Sequence, residues 1–292
     1  MRQELLTGLE RVTAVTTLLQ RVRRQHPRMG VWEASDPQWW WRRPRVTDEI
    51  ALPVRFDAAN EPVAATMLTA WPSAWSLDVI RVRGLTVPLE EVAGSAWATL
   101  EQMERMPVIE SLDAVDDVAL RRWFEARSFV AMEESWSGWQ AATSRPGVTA
   151  LPSGYHLVDR AVCGAKAASE HPMVGRNGPE VEARLRQTAL SDPRLDLAVL
   201  AAAGTVAGYA LDWNDPMTGV GLVEPVRVED DQSGRGIGYA MISGGLDRLA
   251  AAGATTLKIG RASERAGALY TRLGFTDVDT LVTYRLTSSG HA

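Results

Sequence analysis

One order of structural patterns occurs twice in this 292-residue chain, and this repetition constrains the fold more than any single motif. In each half, three strand-like runs are followed by a helix, a strand, a helix and a last strand. Period-two alternation or short apolar runs mark the strands, and apolar residues at three- and four-residue steps mark the helices. The repeated order predicts a duplicated α/β unit, and the chain is long enough for two domains with a core each.

The first copy follows an amphipathic helix that the apolar spacing predicts over residues 4–25. Residues 137–154 mix Ser, Thr, Pro and Gly without periodicity and predict a linker. We therefore predict one domain over residues 1–140, a linker at 141–154 and a second domain over 155–292. The elements predicted for the first copy are strands at 49–57, 62–71, 76–83, 107–111 and 128–136, and helices at 88–104 and 114–126.

The same order of elements is predicted for the second copy. Residues 195–213 predict a hairpin, and 219–228 a third strand. A helix is predicted over 236–252, with Gly253 as its C-terminal stop. A strand at 255–260, a helix at 263–273 and a last strand at 276–287 complete the unit.

A glycine-rich loop stands between the third strand and the first helix of the second copy. Its sequence is Ser233-Gly234-Arg235-Gly236-Ile237-Gly238. Glycines keep side chains away from the unpaired N–H groups at a helix start, where the helix dipole is positive. The pattern favours an anion site, most naturally for phosphate, with Arg235 as an added cation. A plain strand-to-helix turn is the alternative.

Two common phosphate motifs do not fit this loop. A Walker loop requires a Gly-Lys pair, which is absent from the sequence. A dinucleotide fingerprint requires a third glycine where Tyr239 or Met241 stands.

Two motifs resemble the GNAT superfamily of N-acyltransferases. The first is the strand Val226-Arg227-Val228 followed by a loop ending in Gly236-Ile237-Gly238. The second, around the next helix, is Ser263, Ala266, Tyr270, Gly274 and Phe275 at the family's spacing. The resemblance covers residues 154–286. It implies two tandem GNAT-like domains, each a mixed, mostly antiparallel sheet flanked by helices.

The resemblance also implies acetyl-CoA or another acyl-CoA as cofactor, and direct attack of an amine on its thioester. Tyr270 matches the family's general acid, although a tyrosine packed against the sheet would look the same. Glu224 lies where members carry a base, although an edge residue facing solvent is an equal alternative. The residues assigned to cofactor binding are Val226, Arg227, Val228, Ser233, Gly234, Arg235, Gly236, Ile237, Gly238, Tyr239, Ser263 and Ala266.

Several residues depart from the family pattern. Ser233 stands where Arg or Gln is usual, and Ser263 where Asn is frequent. Three acidic residues, Glu229 to Asp231, precede the glycines and should weaken an anion site. These departures keep a second class open, a non-catalytic CoA-binding or scaffold protein.

The first copy has the same order of elements around the two motifs but lacks the residues that would bind the cofactor and donate a proton. Its loop "LTVPLEEVAG" has no glycine triplet and carries Pro88, Glu90 and Glu91. Phe124 stands at the position of Tyr270 and cannot donate a proton, and Ser128 stands at that of Gly274. We therefore expect a single competent site, in the second copy.

Composition and charge limit the kinds of partner and site that we expect for this chain. The net charge is −5, which argues against nucleic acid and anionic membranes. One cysteine and four scattered histidines predict no disulfide and no metal site. No signal peptide or membrane span is predicted, so we expect a cytoplasmic monomer or homodimer. The expected acceptor is a small-molecule amine, with the amine of a thiol-bearing sugar as the alternative within the family.

Overall fold

In a computed structural model, the chain is described except for residues 29, 105, 115–116, 164–169, 262 and 287–292. It divides into two compact units, one formed by Met1–Ser135 with the chain from Thr280 onward, the other by Trp136–Asp279. Among the described residues, none of the helices has the length and apolar character that crossing a membrane requires.

The first unit begins with an edge strand and a long helix, after which the repeated order of elements follows. Its elements are β1 (Arg2–Leu6), α1 (Gly8–Gln25), α2 (Asp36–Trp40), β2 (Leu52–Phe56), β3 (Pro62–Ala70), β4 (Trp75–Arg81), α3 (Leu89–Glu101), β5 (Ile109–Ala114) and α4 (Val118–Glu125).

The strand β6 (Val130–Ala141) follows α4 and enters the second unit at Trp136. The other elements of the second unit are β7 (Tyr155–Asp159), α5 (Arg160–Cys163), α6 (Val174–Asn177), α7 (Val181–Leu185), β8 (Asp196–Ala201), β9 (Val206–Asp215), β10 (Val220–Val228), α8 (Ile237–Ala251), β11 (Thr256–Gly260), α9 (Glu264–Arg272) and the start of β12 (Asp277–Leu286).

The two units have matching sheet topologies. In the first, β2, β3 and β4 are antiparallel neighbours, β4 is parallel to β5, and β5 is antiparallel to β12. In the second, β8, β9 and β10 are antiparallel neighbours, β10 is parallel to β11, and β11 is antiparallel to β6. The predicted fold class, a mixed and mostly antiparallel sheet with helices, is confirmed.

The strand that ends the sheet of each unit is the one that the sequence pattern predicted as the last strand of the other copy. The first unit ends its sheet with β12, from the C-terminal end of the chain, where Leu281–Leu286 pair with β5. The second ends with β6, which begins before the predicted linker and continues into it as far as Ala141. The compact units therefore divide at Trp136 and Thr280, whereas the sequence analysis placed its boundaries at residues 140 and 155.

The assignment of residues 137–141 to a linker is wrong, because they are part of β6. The glycine in this segment hides the strand, and Gly138 stands where neighbouring side chains leave no room for a Cβ. A Cβ there would lie 2.7 Å from the Trp136 ring and 2.9 Å from Phe275 Cβ. After a short 3-10 turn at Ala142–Ser144, residues 145–154 have no regular structure.

Two further predictions were wrong in detail. The predicted helix at 4–25 begins only at Gly8, because Arg2–Leu6 form a strand paired with β2. The predicted helix at 114–126 begins only at Val118, where Asp117 caps it by accepting a hydrogen bond from the Leu120 N–H. Hydrophobic period locates a helix face but not its first residue.

The helix α8 packs against the sheet of the second unit as its sequence pattern predicts. Five apolar residues recur at three- to five-residue steps along α8, and all are buried: Ile237, Met241, Ile242, Leu246 and Leu249. Gly253 follows with φ of 99°, and the Ala254 N–H bonds the Leu249 carbonyl. This packing fixes where the N-terminus of α8 lies.

Candidate active site

A cavity of about 590 Å³ opens at the N-terminus of α8. The end of β10, the glycine loop, the first turn of α8 and one side of α9 form its walls. Of the twelve residues assigned to cofactor binding, eleven line it: Val226, Arg227, Val228, Ser233, Gly234, Gly236, Ile237, Gly238, Tyr239, Ser263 and Ala266. The sequence motifs therefore converge on one space.

Arg235 is the exception. Its guanidinium lies 3.3 Å from the Tyr155 hydroxyl and 3.4 Å from the Asp231 carbonyl oxygen. The Tyr155 hydroxyl in turn contacts the Gln232 side chain at 2.7 Å. Arg235 therefore braces the outside of the loop against β7 in this structure.

The strand β10 opens away from its parallel neighbour at the cavity. Their ladder runs from the Val220–Thr256 pair to the Val223–Ile259 pair. On its other edge, β10 continues to pair with β9 as far as Val228, after a register shift between Val223 and Val226. Residues 226–228 therefore do not continue the ladder with β11, and the edge of β10 on that side faces the cavity.

The glycine loop presents backbone rather than side chains. Gly234 and Gly236 have φ of 82° and 80°, the left-handed region that favours glycine. A Cβ at either position would meet no atom within 4 Å. Gly236 also precedes the first residue of α8 and supplies no side-chain cap. The N–H groups of the first turn are thus free of helical partners and suited to an anion.

Two of the three acidic residues before the glycines form ion pairs with arginines. Arg176 makes two contacts of 2.8 Å with the Glu229 carboxylate, which lowers the pKa of that carboxyl. Arg227 contacts Asp230 at 2.9 Å. These pairs offset the negative charge that the sequence analysis expected to weaken the site.

Ser263 acts as a helix cap. Its side-chain oxygen accepts a hydrogen bond of 3.2 Å from the Ala266 N–H at the start of α9. Serine and asparagine are both favoured at this position. The departure from asparagine at Ser263 therefore leaves the start of α9 intact.

Tyr270 lines the same cavity from α9 and is 7% exposed. Burial, together with the charge of Glu224, raises the pKa of its hydroxyl to about 12. Glu224 is half-buried on β10, and its carbonyl oxygen accepts a hydrogen bond of 2.8 Å from the Trp213 indole. The two residues singled out for proton transfer therefore act on each other electrostatically.

Residues 167–275 match the model of the Acetyltransferase (GNAT) family. This segment, a little over a third of the chain, is similar to GNAT-family domains, and we call it the GNAT domain. Two mycothiol acetyltransferases are similar to the chain over 124 residues. The protein from Clavibacter michiganensis subsp. michiganensis is 33% identical over 41% of this chain. The protein from Tsukamurella paurometabola is 35% identical over 39%. The matched stretches span only 40% and 42% of those relatives' own length.

Solved structures extend the similarity of fold to nearly the whole chain. A tandem GNAT protein from the clavulanic acid biosynthesis pathway aligns with a TM-score of 0.66 and 16% identity, covering 98% of both chains. A GCN5-related N-acetyltransferase from Sphaerobacter thermophilus aligns with a TM-score of 0.60 and 17% identity, covering 98% of this chain and 95% of that one. The predicted tandem GNAT architecture is thus confirmed at the level of fold.

The first unit repeats the backbone of the GNAT domain at the end of its α4 helix. Ser128 has φ of 63°, as Gly274 has 97° after α9. The N–H groups of Phe129 and Phe275 bond the carbonyls of Phe124 and Tyr270 at 3.1 and 3.0 Å. Phe124 is fully buried, with its ring stacked on Tyr284.

The loop of the first unit is filled by its own side chains. Val87 is buried together with Ala64 and Val92, with Leu85 packed against them. Glu90, in the first turn of α3, binds Arg127 and accepts a hydrogen bond from the Trp123 indole. This arrangement leaves apolar and acidic groups where the GNAT domain presents glycines and free N–H groups.

Several residues near the GNAT cavity were not predicted from the sequence, among them Arg176, Tyr155 and Arg265. Arg176 and Tyr155 support the loop from elements that had not been predicted, α6 and β7. Arg265 lines the cavity from the exposed side of α9. An arginine five residues before Tyr270 on the same helix could have been found from the sequence, whereas the contacts of Arg176 and Tyr155 cross 53 and 77 residues.

From the sequence, Trp213, Asn214 and Asp215 at the end of β9 could line an acceptor pocket or form a plain turn. Asp215 accepts hydrogen bonds from Met217 and Thr218 in the turn that follows. The Asn214 side chain donates to the Ala252 carbonyl at 2.8 Å. These contacts favour a structural turn for both residues.

Proposed function

We propose that the GNAT domain transfers an acetyl group from acetyl-CoA to the amine of a small molecule. The observation that carries this proposal is the meeting of three features in one cavity: the free N–H groups of α8, the opened edge of β10, and Tyr270. A strand-to-helix turn alone would not require the other two features beside it.

The residues fit the shape and charge of acetyl-CoA. The first turn of α8, with Gly234 and Gly236, would hold the diphosphate, because no side chain occupies that approach. The opened edge of residues 226–228 would bond the amides of the pantetheine arm. When bound, acetyl-CoA supplies the acetyl group as an activated thioester. The Val226 N–H is the candidate for polarising the carbonyl.

The acceptor amine must lose a proton before it attacks, since a lysine-like amine has a pKa of about 10.4. Glu224 is the candidate to accept this proton, directly or through water. Tyr270 is the candidate to donate a proton to the leaving sulfur. The raised pKa keeps its hydroxyl protonated across the physiological range.

The base also controls the strength of the acid. While Glu224 is ionised, its charge holds the pKa of Tyr270 up. When Glu224 accepts the proton of the amine, that charge is neutralised and the pKa of Tyr270 falls. Tyr270 therefore becomes a better proton donor in the same event that generates the nucleophile. We expect Glu224→Gln to lower the pKa of Tyr270, measured by the ultraviolet absorbance of its phenolate.

Cofactor binding is tested by substituting Gly236, since both Asn and Asp tolerate its backbone conformation. Gly236→Asn adds only bulk, whereas Gly236→Asp adds the same bulk and a negative charge. Acetyl-CoA should raise the melting temperature of the wild type. Both substitutions should reduce this shift, and Gly236→Asp should reduce it more than Gly236→Asn does. The absence of any shift in the wild type at millimolar acetyl-CoA would refute the proposal.

Catalysis is tested with Tyr270→Phe and a panel of amines, by detecting the thiol of released CoA. Loss of a general acid lowers turnover about 10²- to 10⁴-fold, while the affinity for acetyl-CoA should hold. Unchanged turnover in Tyr270→Phe would remove Tyr270 as the acid. If the wild type binds acetyl-CoA but releases no thiol with any amine, the non-catalytic alternative is favoured.

The amine of a thiol-bearing sugar is a second candidate acceptor. It is favoured by the similarity to two mycothiol acetyltransferases, each over 124 residues. Comparing kcat/KM for such an amino sugar with that for a sugar lacking the thiol decides between this acceptor and a general small amine.

A further inference from the structure

The ring of Trp136 packs edge-on against the ring of Tyr270. Their centroids are 6.5 Å apart and their planes meet at 86°, a favourable aromatic arrangement. Trp136 belongs to β6, the strand that enters the GNAT unit from before the predicted linker. The residue therefore lies outside the segment that carries the family motifs.

Arg261 covers Trp136. Its guanidinium carbon lies 4.9 Å from the centroid of the indole, and its backbone N–H bonds the Trp136 carbonyl at 3.2 Å. A guanidinium stacked on an indole is attracted to the ring face. Arg261, which follows the neighbouring strand β11, thus holds the side chain of Trp136 in place on β6.

Two glycines make room for this stack. A Cβ at Gly138 would lie 2.7 Å from the indole, so a side chain on the same strand would displace the ring. A Cβ at Gly267 would lie 3.1 Å from the indole and 3.0 Å from the Arg261 side chain. Glycine inside a strand or a helix costs about 0.5–1 kcal/mol relative to alanine. The glycine lowers the intrinsic stability of each element but leaves space for the indole of Trp136.

We propose that Trp136, held by Arg261, is a positioning residue that orients the Tyr270 hydroxyl toward the reacting sulfur. This inference rests on the proposed function, because it assigns Trp136 a role through the acid of that reaction. In the absence of the indole, the tyrosine ring gains free volume on the side where the indole packs. The hydroxyl would then sample orientations that do not reach the sulfur, while the diphosphate loop is untouched.

A double-mutant cycle tests whether Trp136 acts through Tyr270. Trp136→Phe should lower kcat about tenfold in the wild-type background and leave KM for acetyl-CoA within about twofold, since a mispositioned group costs rate rather than binding. In a Tyr270→Phe background, the same substitution should have no further effect on kcat. Arg261→Met and Gly267→Ala should show the same non-additive pattern, so the test does not depend on one variant folding.

Trp139→Phe is the matched control, because Trp139 lies on the same strand and its neighbours are Lys258 and Asp279 rather than Tyr270. Its effect on kcat, whatever its size, should be the same with and without Tyr270. If the effects of Trp136→Phe and Tyr270→Phe are additive, the inference is overturned while the proposed function stands. If Tyr270→Phe itself leaves turnover unchanged, it is the assigned acid that fails.

A second measurement does not require turnover. The phenolate titration of Tyr270 is obtained as the difference between the wild type and Tyr270→Phe. Trp136→Leu should lower the pKa of Tyr270, because water replaces the indole and reduces the desolvation that raises it. An unchanged titration would show that Trp136 does not control the surroundings of the hydroxyl, and would overturn the inference even in an inactive protein.

Discussion

One neighbouring residue decides whether replacing a glycine in the middle of α8 by alanine stabilises or destabilises the protein. Gly245 lies opposite Asp212 of β9, and a Cβ at Gly245 would be 2.2 Å from a carboxylate oxygen of Asp212. Asp212 is 1% exposed. Burial, reinforced by Asp196 and opposed by Arg248, raises the pKa of Asp212 to about 8. The carboxyl is thus mostly protonated at pH 7 and occupies the space that a side chain would need.

Two effects of Gly245→Ala oppose each other. Alanine stabilises a helix interior by about 1 kcal/mol relative to glycine, whereas overpacking costs about 1–3 kcal/mol. Because the approach of 2.2 Å places the clash in the upper part of that range, about 2–3 kcal/mol, Gly245→Ala should destabilise the GNAT unit by about 1–2 kcal/mol when Asp212 is present. In an Asp212→Ala background the clash disappears, and Gly245→Ala should stabilise it by about 1 kcal/mol. The coupling of 2–3 kcal/mol lies at the upper end for contacting residues.

Urea unfolding at pH 7, followed by far-ultraviolet circular dichroism, measures both values. Gly94→Ala in α3 is the control, because a Cβ there would lie 3.6 Å from its nearest neighbour, an ordinary contact. It should stabilise by about 0.5–1 kcal/mol in either background. If Gly245→Ala has the same sign with and without Asp212, the contact does not decide the outcome and the reasoning fails.

Three other predictions concern charge and stoichiometry. Because the folded-state pKa of Asp212 is raised above its unfolded value, stability should fall by about 1 kcal/mol per pH unit as pH rises from about 5 to 8. Asp212→Ala should flatten that slope in urea titrations, and an unchanged slope would contradict the assignment. Arg176→Met should weaken acetyl-CoA binding a few-fold by leaving Glu229 unpaired. Arg176→Met combined with Glu229→Gln should restore affinity, and calorimetry showing no rescue would exclude this electrostatic cause. Calorimetry should also find one acetyl-CoA per chain, because Val87 and Glu90 fill the corresponding space in the first unit; two sites would disprove that reading.

Local chemistry in the sequence was sufficient to place the glycine loop, the inner face of α8 and the cavity-lining position of Tyr270. Each depends on residues within one or two turns of one another, so hydrophobic period and glycine spacing locate them directly. The Ser263 cap is equally local, and its substitution for asparagine proved compatible with the same hydrogen bond.

Only the tertiary structure decided which strands complete each sheet and which residues support the site. Strand pairing joins segments far apart in the chain, as in the pairing of β12 with β5, and no local pattern states the partner. The same holds for Trp136 beside Tyr270 and for Arg176 beside Glu229. The sequence alone thus determined where a candidate anion-binding loop and a candidate acid lie, because backbone conformation is local. Their surroundings were decided by the fold, because burial and pairing depend on contacts that close only when the chain has packed.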